Sequence, residues 1–368
     1  MDQTAVAHDI TQSIVKACHS GLPVDRLRAE VLSGLGRVLP ADAVWWAAVD
    51  PATLLFTDTF GVAIPADATG YFVENEFLHD DFNKWSELSR DPVGVRSLSQ
   101  ATAGTLERSE RYRDVFEPLG LGDELRTVLR VRGTTWGLLC LHREAGRDYS
   151  RTEAAWIRRL APHLAEAMRV ALLVRGLEGS EHDGAPGLIV LSPTGDIVGS
   201  NPAGERWMDE LGTASGDRGA APIEVQSVAA SLRSLLAGDA APPRLRIRTK
   251  AGRWIVLHAS WMHVAGEEAI AVIVEEAMPT EVAPLIMLAY GLTERERAVT
   301  GLVSSGLSTA EIATELHITA DTVQDHLKSI FRKTGAGSRM ELVATILRRQ
   351  YLPRVKAGDR IAAGGFFA

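Results

Sequence analysis

Apolar positions near the end of the chain recur at helical spacing in four short runs. They are Val299, Leu302 and Val303; Ile312, Ala313 and Leu316; Val323, Leu327, Ile330 and Phe331; and Met340, Val343, Ala344 and Leu347. Gly306, His317-Ile318 and Gly335-Ala-Gly337 interrupt the pattern. Thr293-Glu-Arg-Glu296, Ser308-Thr-Ala-Glu311 and Ser338-Arg-Met-Glu341 have the spacing of capping boxes. In such a box a hydroxyl accepts from the backbone N–H three residues on, and the glutamate reaches back. Four short helices are therefore predicted, the second and third joined by the tight turn of a helix-turn-helix.

Upstream the pattern alternates between the helical and the strand period. Residues 1–176 read as an α+β unit. An amphipathic helical region over 9–39 breaks near Gly21-Leu-Pro23 and precedes the strand 43–49 and a partner over 53–60. A second strand pair, 124–132 and 134–143, turns at Gly133, and the box Ser150-Arg-Thr-Glu153 opens a long helix to about Val174. Residues 177–186 are Gly-rich and polar and read as a linker. Residues 187–277 form a second α+β unit: a hairpin, a helix from Asn201, a helix near 224–237, and three strands over 244–250, 253–264 and 269–275. Leu245/Ile247 and Ile255/Leu257/Ala259/Trp261 alternate, giving those strands one buried face. Pro279 and Pro284 mark 278–290 as a second linker with room for a turn or two of helix, 291–350 holds the helical module, and 351–368 is a Gly/Ala-rich tail. The fold class expected is multi-domain: α+β, α+β, then all-α.

Composition changes this picture in three ways. Over 368 residues, 46% hydrophobic and 23% charged, the chain has no apolar run approaching a membrane span and no signal-peptide pattern at its start, so it is expected in the cytoplasm, away from membranes. Two cysteines, Cys18 and Cys140, exclude a disulfide framework. The net charge of −8 is uneven. Residues 291–368 carry 11 Lys/Arg against 8 Asp/Glu and residues 1–290 carry 28 against 39, so a module near +3 follows a body near −11. That asymmetry suits one nucleic-acid-contacting module on an acidic body.

The terminal module closely resembles the LuxR/FixJ-type DNA-binding domain. The residues carrying the resemblance are Leu292-Thr-x-Arg-Glu296, Gly306-Leu-Ser308-x-x-Glu311-Ile-Ala313, Thr322-Val-x-x-His326-x-x-x-Ile330-x-x-Lys333 and Ser338-Arg339. The resemblance implies that the third helix enters the major groove, the second positions it and the fourth makes a dimer. Carried over, Gln324, Asp325 and Lys328 reach base edges. Thr322, His326, Lys333, Ser308 and Thr309 meet phosphates, and Arg332 joins the exposed DNA-facing set. Two positions depart from the family: 324 is usually Lys and here is Gln, which can bind adenine bidentately, and 309 is commonly Asn and here is Thr. The helix 319–333 carries Lys328, Arg332 and Lys333 against Asp321 and Asp325, a net charge near +1, so non-specific affinity should be modest and two copies should share one site. For the fourth helix, Leu342 and Ile346 are expected to face the partner subunit while Met340, Val343, Ala344 and Leu347 pack inward.

Residues 1–176 resemble a GAF domain. The phrases Tyr112–Gly120, Trp136–Arg143 and Trp156–His163 are similar to those of actinobacterial LuxR-type regulators. Residues 187–277 resemble a PAS domain through Val190-Leu-Ser-Pro-Thr-Gly-Asp-Ile-Val-Gly-Ser-Asn-Pro-Ala203. Five aromatics between Tyr71 and Trp85 suit a lid over a ligand. A pocket lined by Trp45, Trp46, Phe72, Phe77, Phe82, Trp85 and Trp136 is the expectation, with a small apolar or aromatic effector. No cofactor or metal is expected. A flavin adduct needs a cysteine that 185–277 lacks, and His258 and His263, five apart on one strand, point to opposite faces. His79-Asp80-Asp81 has no further His or Cys at ligand spacing.

Three readings follow. The first is a transcription regulator that binds an inverted-repeat operator in double-stranded DNA as a homodimer, with RNA polymerase as a further partner and the two sensor-like domains taking a small molecule or mediating dimerisation. In the second, those domains are ligand-free docking modules. The third is an enzyme with an appended DNA-binding domain; no phosphate loop, nucleophile elbow or zinc spacing supports it, so no catalytic residue is assigned.

Overall fold

The structure, a computed structural model, describes residues 3–22, 24–63, 65, 68–174, 185–212, 221–235, 243–264 and 266–347. In the first domain, α1 (Gln3–Cys18) and α2 (Val24–Val38) precede β1 (Ala43–Val49) and β2 (Phe56–Val62). Then come α3 (Ala68–Leu78), the single turn α4 (Trp85–Leu88), β3 (Val95–Ser97) and the single turn α5 (Leu98–Ala101). Short turns over 106–119 lead to β4 (Leu121–Val131), β5 (Thr134–Glu144) and α6 (Arg151–Val174). The strands form one antiparallel sheet in the order β2-β1-β5-β4-β3. Ala-Val-Trp-Trp-Ala-Ala-Val is apolar throughout because β1 is an inner strand covered on both faces. Trp46 turns one way, its Nε1 3.2 Å from the Met168 sulfur on α6, and Trp45 turns the other way. α6 lies so close that a Cβ on Gly137 would come within 2.7 Å of the Met168 methyl. The β4–β5 turn is made by Arg132 and Gly133, both with positive φ, as a two-residue hairpin demands.

The second domain runs β6 (Gly187–Leu191), β7 (Ile197–Ser200), α7 (Pro202–Leu211), α8 (Ile223–Ser234), β8 (Arg244–Arg248), β9 (Trp254–Val264) and β10 (Glu267–Glu276). Its sheet order, β7-β6-β10-β9-β8, repeats that of the first domain. The Asn201 carboxamide oxygen caps α7 at Gly204 N (2.6 Å) and also accepts from Leu188 N, pinning the helix start to β6. Trp207, Val225 and Val228 fill the core against Ile189, Leu245, Ile255 and Leu257.

These two sheets belong to one compact unit. α8 packs on α3 and β2, so Leu55 of the first domain joins the second core while Ile223 and Ala230 join the first. Asp50, 1% exposed, takes a two-pronged contact from Arg246 at 2.8 and 2.9 Å. Most of the expected linker 177–186 and all of the tail 351–368 lie outside the described residues.

The remaining helices are α9 (Pro279–Ala289), α10 (Glu294–Ser304), α11 (Thr309–Glu315), α12 (Ala320–Thr334) and α13 (Arg339–Leu347). Here the reading of 278–290 as a linker is corrected. Pro279 stands at the first helical position, where no N–H is needed, and Met278 N donates to the Glu281 carboxylate at 2.8 Å. Ala283, Ile286 and Met287 pack into the helical core, and that burial overrides the cost of Pro284 in the helix. Among the described residues no helix is long and apolar enough to cross a membrane.

Candidate nucleic-acid interface and the interior of the first domain

Local sequence sets the helix ends of the terminal domain. Thr293 with Glu296 and Ser308 with Glu311 close two of the three capping boxes expected here. At Ser338 the hydroxyl caps Glu341 N (3.1 Å), but the Glu341 carboxylate accepts from Gly337 N instead. Between α11 and α12, His317 takes φ 54° and Thr319 caps α12 at Thr322 N, giving a short turn. Gly335, with φ 73°, ends α12. Val323, Leu327 and Ile330 are buried, and Asp321, Gln324, Asp325, Lys328 and Arg332 are exposed on the outer face. Thr322 and His326 are half-buried beside them, and Ser308 is exposed at the α11 cap.

A polar relay joins three helices. Arg339 at the start of α13 donates to the Leu307 carbonyl (2.8 Å) and to Thr309 Oγ1 (2.7 Å), and Gln324 Nε2 donates to the same oxygen at 3.3 Å. With two bonds accepted, the Thr309 hydroxyl keeps its proton for an outside acceptor, and Gln324 keeps one N–H and its carbonyl oxygen free to pair outward. Sequence reasoning passed over Arg339 as a positioning residue, because the bond spans 30 residues. Lys328 rests 3.0 Å from Asp325, both about three-quarters exposed.

Lys333, expected on phosphate, is held in an ion pair within the domain. Its ammonium sits 2.6 Å from the Glu296 carboxylate on α10, and the two side chains are 24% and 5% exposed. Burial opposes ionisation of Glu296, but the Lys333 ammonium and the Thr293 N–H outweigh it and hold the carboxyl at about 2. Lys333 therefore ties α12 to α10. The expected dimer row is corrected. Leu342 and Ile346 are 0% and 2% exposed and belong to the domain core, while Met340 is 81% exposed. α9, taken for a linker, packs on α13, so the row expected to face outward is covered. The Leu347 side chain lies outside the described residues.

The expected aromatic set in the first domain is packed largely ring against ring. Trp45 contacts Phe72 (6.2 Å between centroids), Trp85 (6.4 Å) and Phe56 (5.1 Å), and Phe56 contacts Phe77 (5.7 Å). These rings pack on one another as part of the core. Trp46 is on the far side of the sheet, Phe82 lies under the Arg108 guanidinium, and Trp136 is buried. Cavities lie at α3–α8, at α1–α2, and beside Tyr71 and Pro118.

Beside the rings lies a buried ionic network that the sequence did not announce. Arg111 donates to Asn75 Oδ1 (2.9 Å) and Glu124 Oε2 (2.7 Å). Arg126 donates to Glu124 Oε1 (3.0 Å) and Glu76 Oε2 (2.8 Å). Asp81 accepts from Arg111 N and Asn75. Burial would raise the Glu124 carboxyl, but the Arg111 and Arg126 guanidinium groups hold it far below the usual range. Burial pushes the Cys140 thiol well up and lowers His142 to about 4, so His142 is neutral.

Comparison with known proteins agrees with the helical geometry. Residues 291–346 match the family described as bacterial regulatory proteins, luxR family. A candidate HTH-type transcriptional regulator of Mycobacterium bovis is 47% identical over 58 residues, which are 16% of this chain and 7% of that protein. The HTH-type transcriptional regulator MalT of Yersinia pestis is 38% identical over 60 residues, again 16% and 7%. The chain thus matches only a small part of the length of these relatives. Of solved structures, the GAF domain of a phosphoenolpyruvate-protein phosphotransferase from Coxiella burnetii aligns with 46% of this chain and 93% of its own, at 17% identity and a TM-score of 0.28. An Acinetobacter GAF domain from the same kind of enzyme aligns with 48% and 98%, at 12% identity and 0.30.

Proposed function

We propose that the chain is a sequence-specific, DNA-binding transcription regulator of the LuxR type that places α12 in the major groove. One observation carries this reading: α12 buries a narrow stripe and leaves Gln324, Asp325, Lys328 and Arg332 exposed on one face, with Gln324 steadied by Thr309 of the preceding helix. With Lys333 held by Glu296, Lys328 and Arg332 are the α12 cations left to face DNA. Non-specific attraction is then weak, and two copies on an inverted repeat would supply the affinity. Thr309 and Ser308 would position phosphates. The acidic body would keep the rest of the chain off the duplex, in the cytoplasm where operators and RNA polymerase are met.

Between the two readings of the upstream domains, docking is favoured over an apolar effector among the aromatic rings. Those rings pack on one another, and α3, the expected lid, is packed against α8 of the second domain. Selection of random duplex DNA by the full chain tests the main reading. Enrichment of a two-fold symmetric motif supports it; recovery of unenriched sequence at every salt concentration would sink it.

A further inference from the structure

We propose that Glu124, Cys140 and His142 form a binding site for a transition-metal ion of the zinc class inside the first domain. Strand geometry brings them together. Cys140 and His142 are two apart on β5 and so share a face, and Glu124 is the direct cross-strand partner of His142 on β4. A carboxylate oxygen, a thiol sulfur and an imidazole nitrogen lie within 4.8 Å of one another, and all three residues are fully buried. A mixed O, S and N donor set is that of zinc and its neighbours rather than of calcium or magnesium.

A second observation points the same way. Neither ring nitrogen of His142 has a hydrogen-bond partner, although the residue is 0% exposed. Buried polar groups are rarely left so, because the desolvation cost goes uncompensated. The Phe116 and Phe72 rings flank the imidazole at 4.6 and 6.4 Å, which keeps the site dry. Glu124 Oε2 accepts from Arg111 and keeps a lone pair, while Oε1 accepts from Arg126 and, at 3.5 Å, from the Cys140 thiol, a bond that is given up when the thiol loses its proton to coordination. Coordination sends the Cys140 thiol proton to solvent, and the thiolate and carboxylate then neutralise the dication. Glu76 and Asp81 balance the arginines. Three protein donors leave a fourth position for a small exogenous ligand. Arg126 links Glu124 to Glu76 on α3, and α3 packs on α8, so loading would be felt where the two sheet domains meet.

The test uses the full chain carrying Cys18→Ser, which leaves Cys140 as its only thiol. The chelator-stripped protein is titrated with cobalt(II) alone and then with zinc(II). Expected are one equivalent of cobalt with tetrahedral ligand-field bands, a thiolate-to-cobalt charge-transfer band, and loss of both on adding zinc. His142→Gln and Glu124→Gln should weaken binding at least ~10-fold, and zinc should raise the melting temperature of the parent but not of these variants. Absence of the charge-transfer band in the folded Cys18→Ser chain overturns the site whatever the variants do. So does unchanged affinity in a folded His142→Gln chain. DNA binding by the same samples is scored separately, so failure of the metal site is not confused with failure of the regulator reading.

Discussion

Gln324 on α12 and Thr309 on α11 are joined side chain to side chain at 3.3 Å. The bond fixes one N–H of the carboxamide and leaves the pair of atoms that adenine requires. Gln324→Ala should remove the preference at one base pair, a loss of about 1–3 kcal/mol in discrimination. Thr309→Val should blur the same position while leaving the others intact. Sites selected by the two variants are compared with the parent; an identical motif for Gln324→Ala rejects the base-reading role.

Lys328 and Asp325 form an exposed pair on the outer face of α12. Lys328→Ala is expected to weaken the selected site about tenfold or more, with reduced discrimination over random DNA. Asp325→Ala removes one negative charge from the reading face and should tighten non-specific binding. Affinity measured against salt separates the roles. A shallower slope for Lys328→Ala at unchanged specificity would place Lys328 on phosphate only.

Met340 and Ile346 exchange the parts that periodicity suggested for them. Met340→Glu should leave the melting temperature unchanged and weaken operator binding if this face meets a second copy. Ile346→Glu buries an unpaired charge and should destabilise the terminal domain by about 3–5 kcal/mol. A well-folded Ile346→Glu chain would show that the core packing around α13 is wrong.

Glu224 on α8 is buried beside β2 of the first domain, and its Oε2 has no partner. Burial raises its carboxyl from 4.5 to about 8, with Asp58 adding to the shift and Lys250 opposing it. The native state therefore keeps a proton that the unfolded chain loses near 4.5. Its stabilising effect is complete below that pH and falls away as pH rises to about 8. Glu224→Gln should flatten the decline of melting temperature across this window and be the more stable protein above it, by on the order of a few kcal/mol. Parallel pH profiles for parent and variant check this. Curves that fall together would remove Glu224 as the cause.

The sequence alone determined the features that depend on neighbours along the chain. Capping boxes at Thr293 and Ser308, the Arg132-Gly133 hairpin, the α12 stripe and the alternation of Ile255, Leu257 and Ala259 are local signals that formed where expected, whereas Trp261, expected on that buried face, is 44% exposed. Exposed residues such as Gln324 and Lys328 were legible because an amphipathic helix declares its outer face once its inner face is known. Tertiary structure decided whatever depends on contacts between distant segments. It made α9 a helix despite two prolines, because Ala283 and Met287 had a core to enter. That helix in turn covered Leu342 and Ile346. Lys333 looked like a free cation until Glu296, 37 residues away, was placed beside it. Trp45 and Trp46 are adjacent in sequence and lie on opposite faces of a sheet covered on both sides, so aromatic density along the chain said nothing about which rings would meet. The approach of Glu124, Cys140 and His142 needed the β4–β5 register, which spacing along the chain does not reveal.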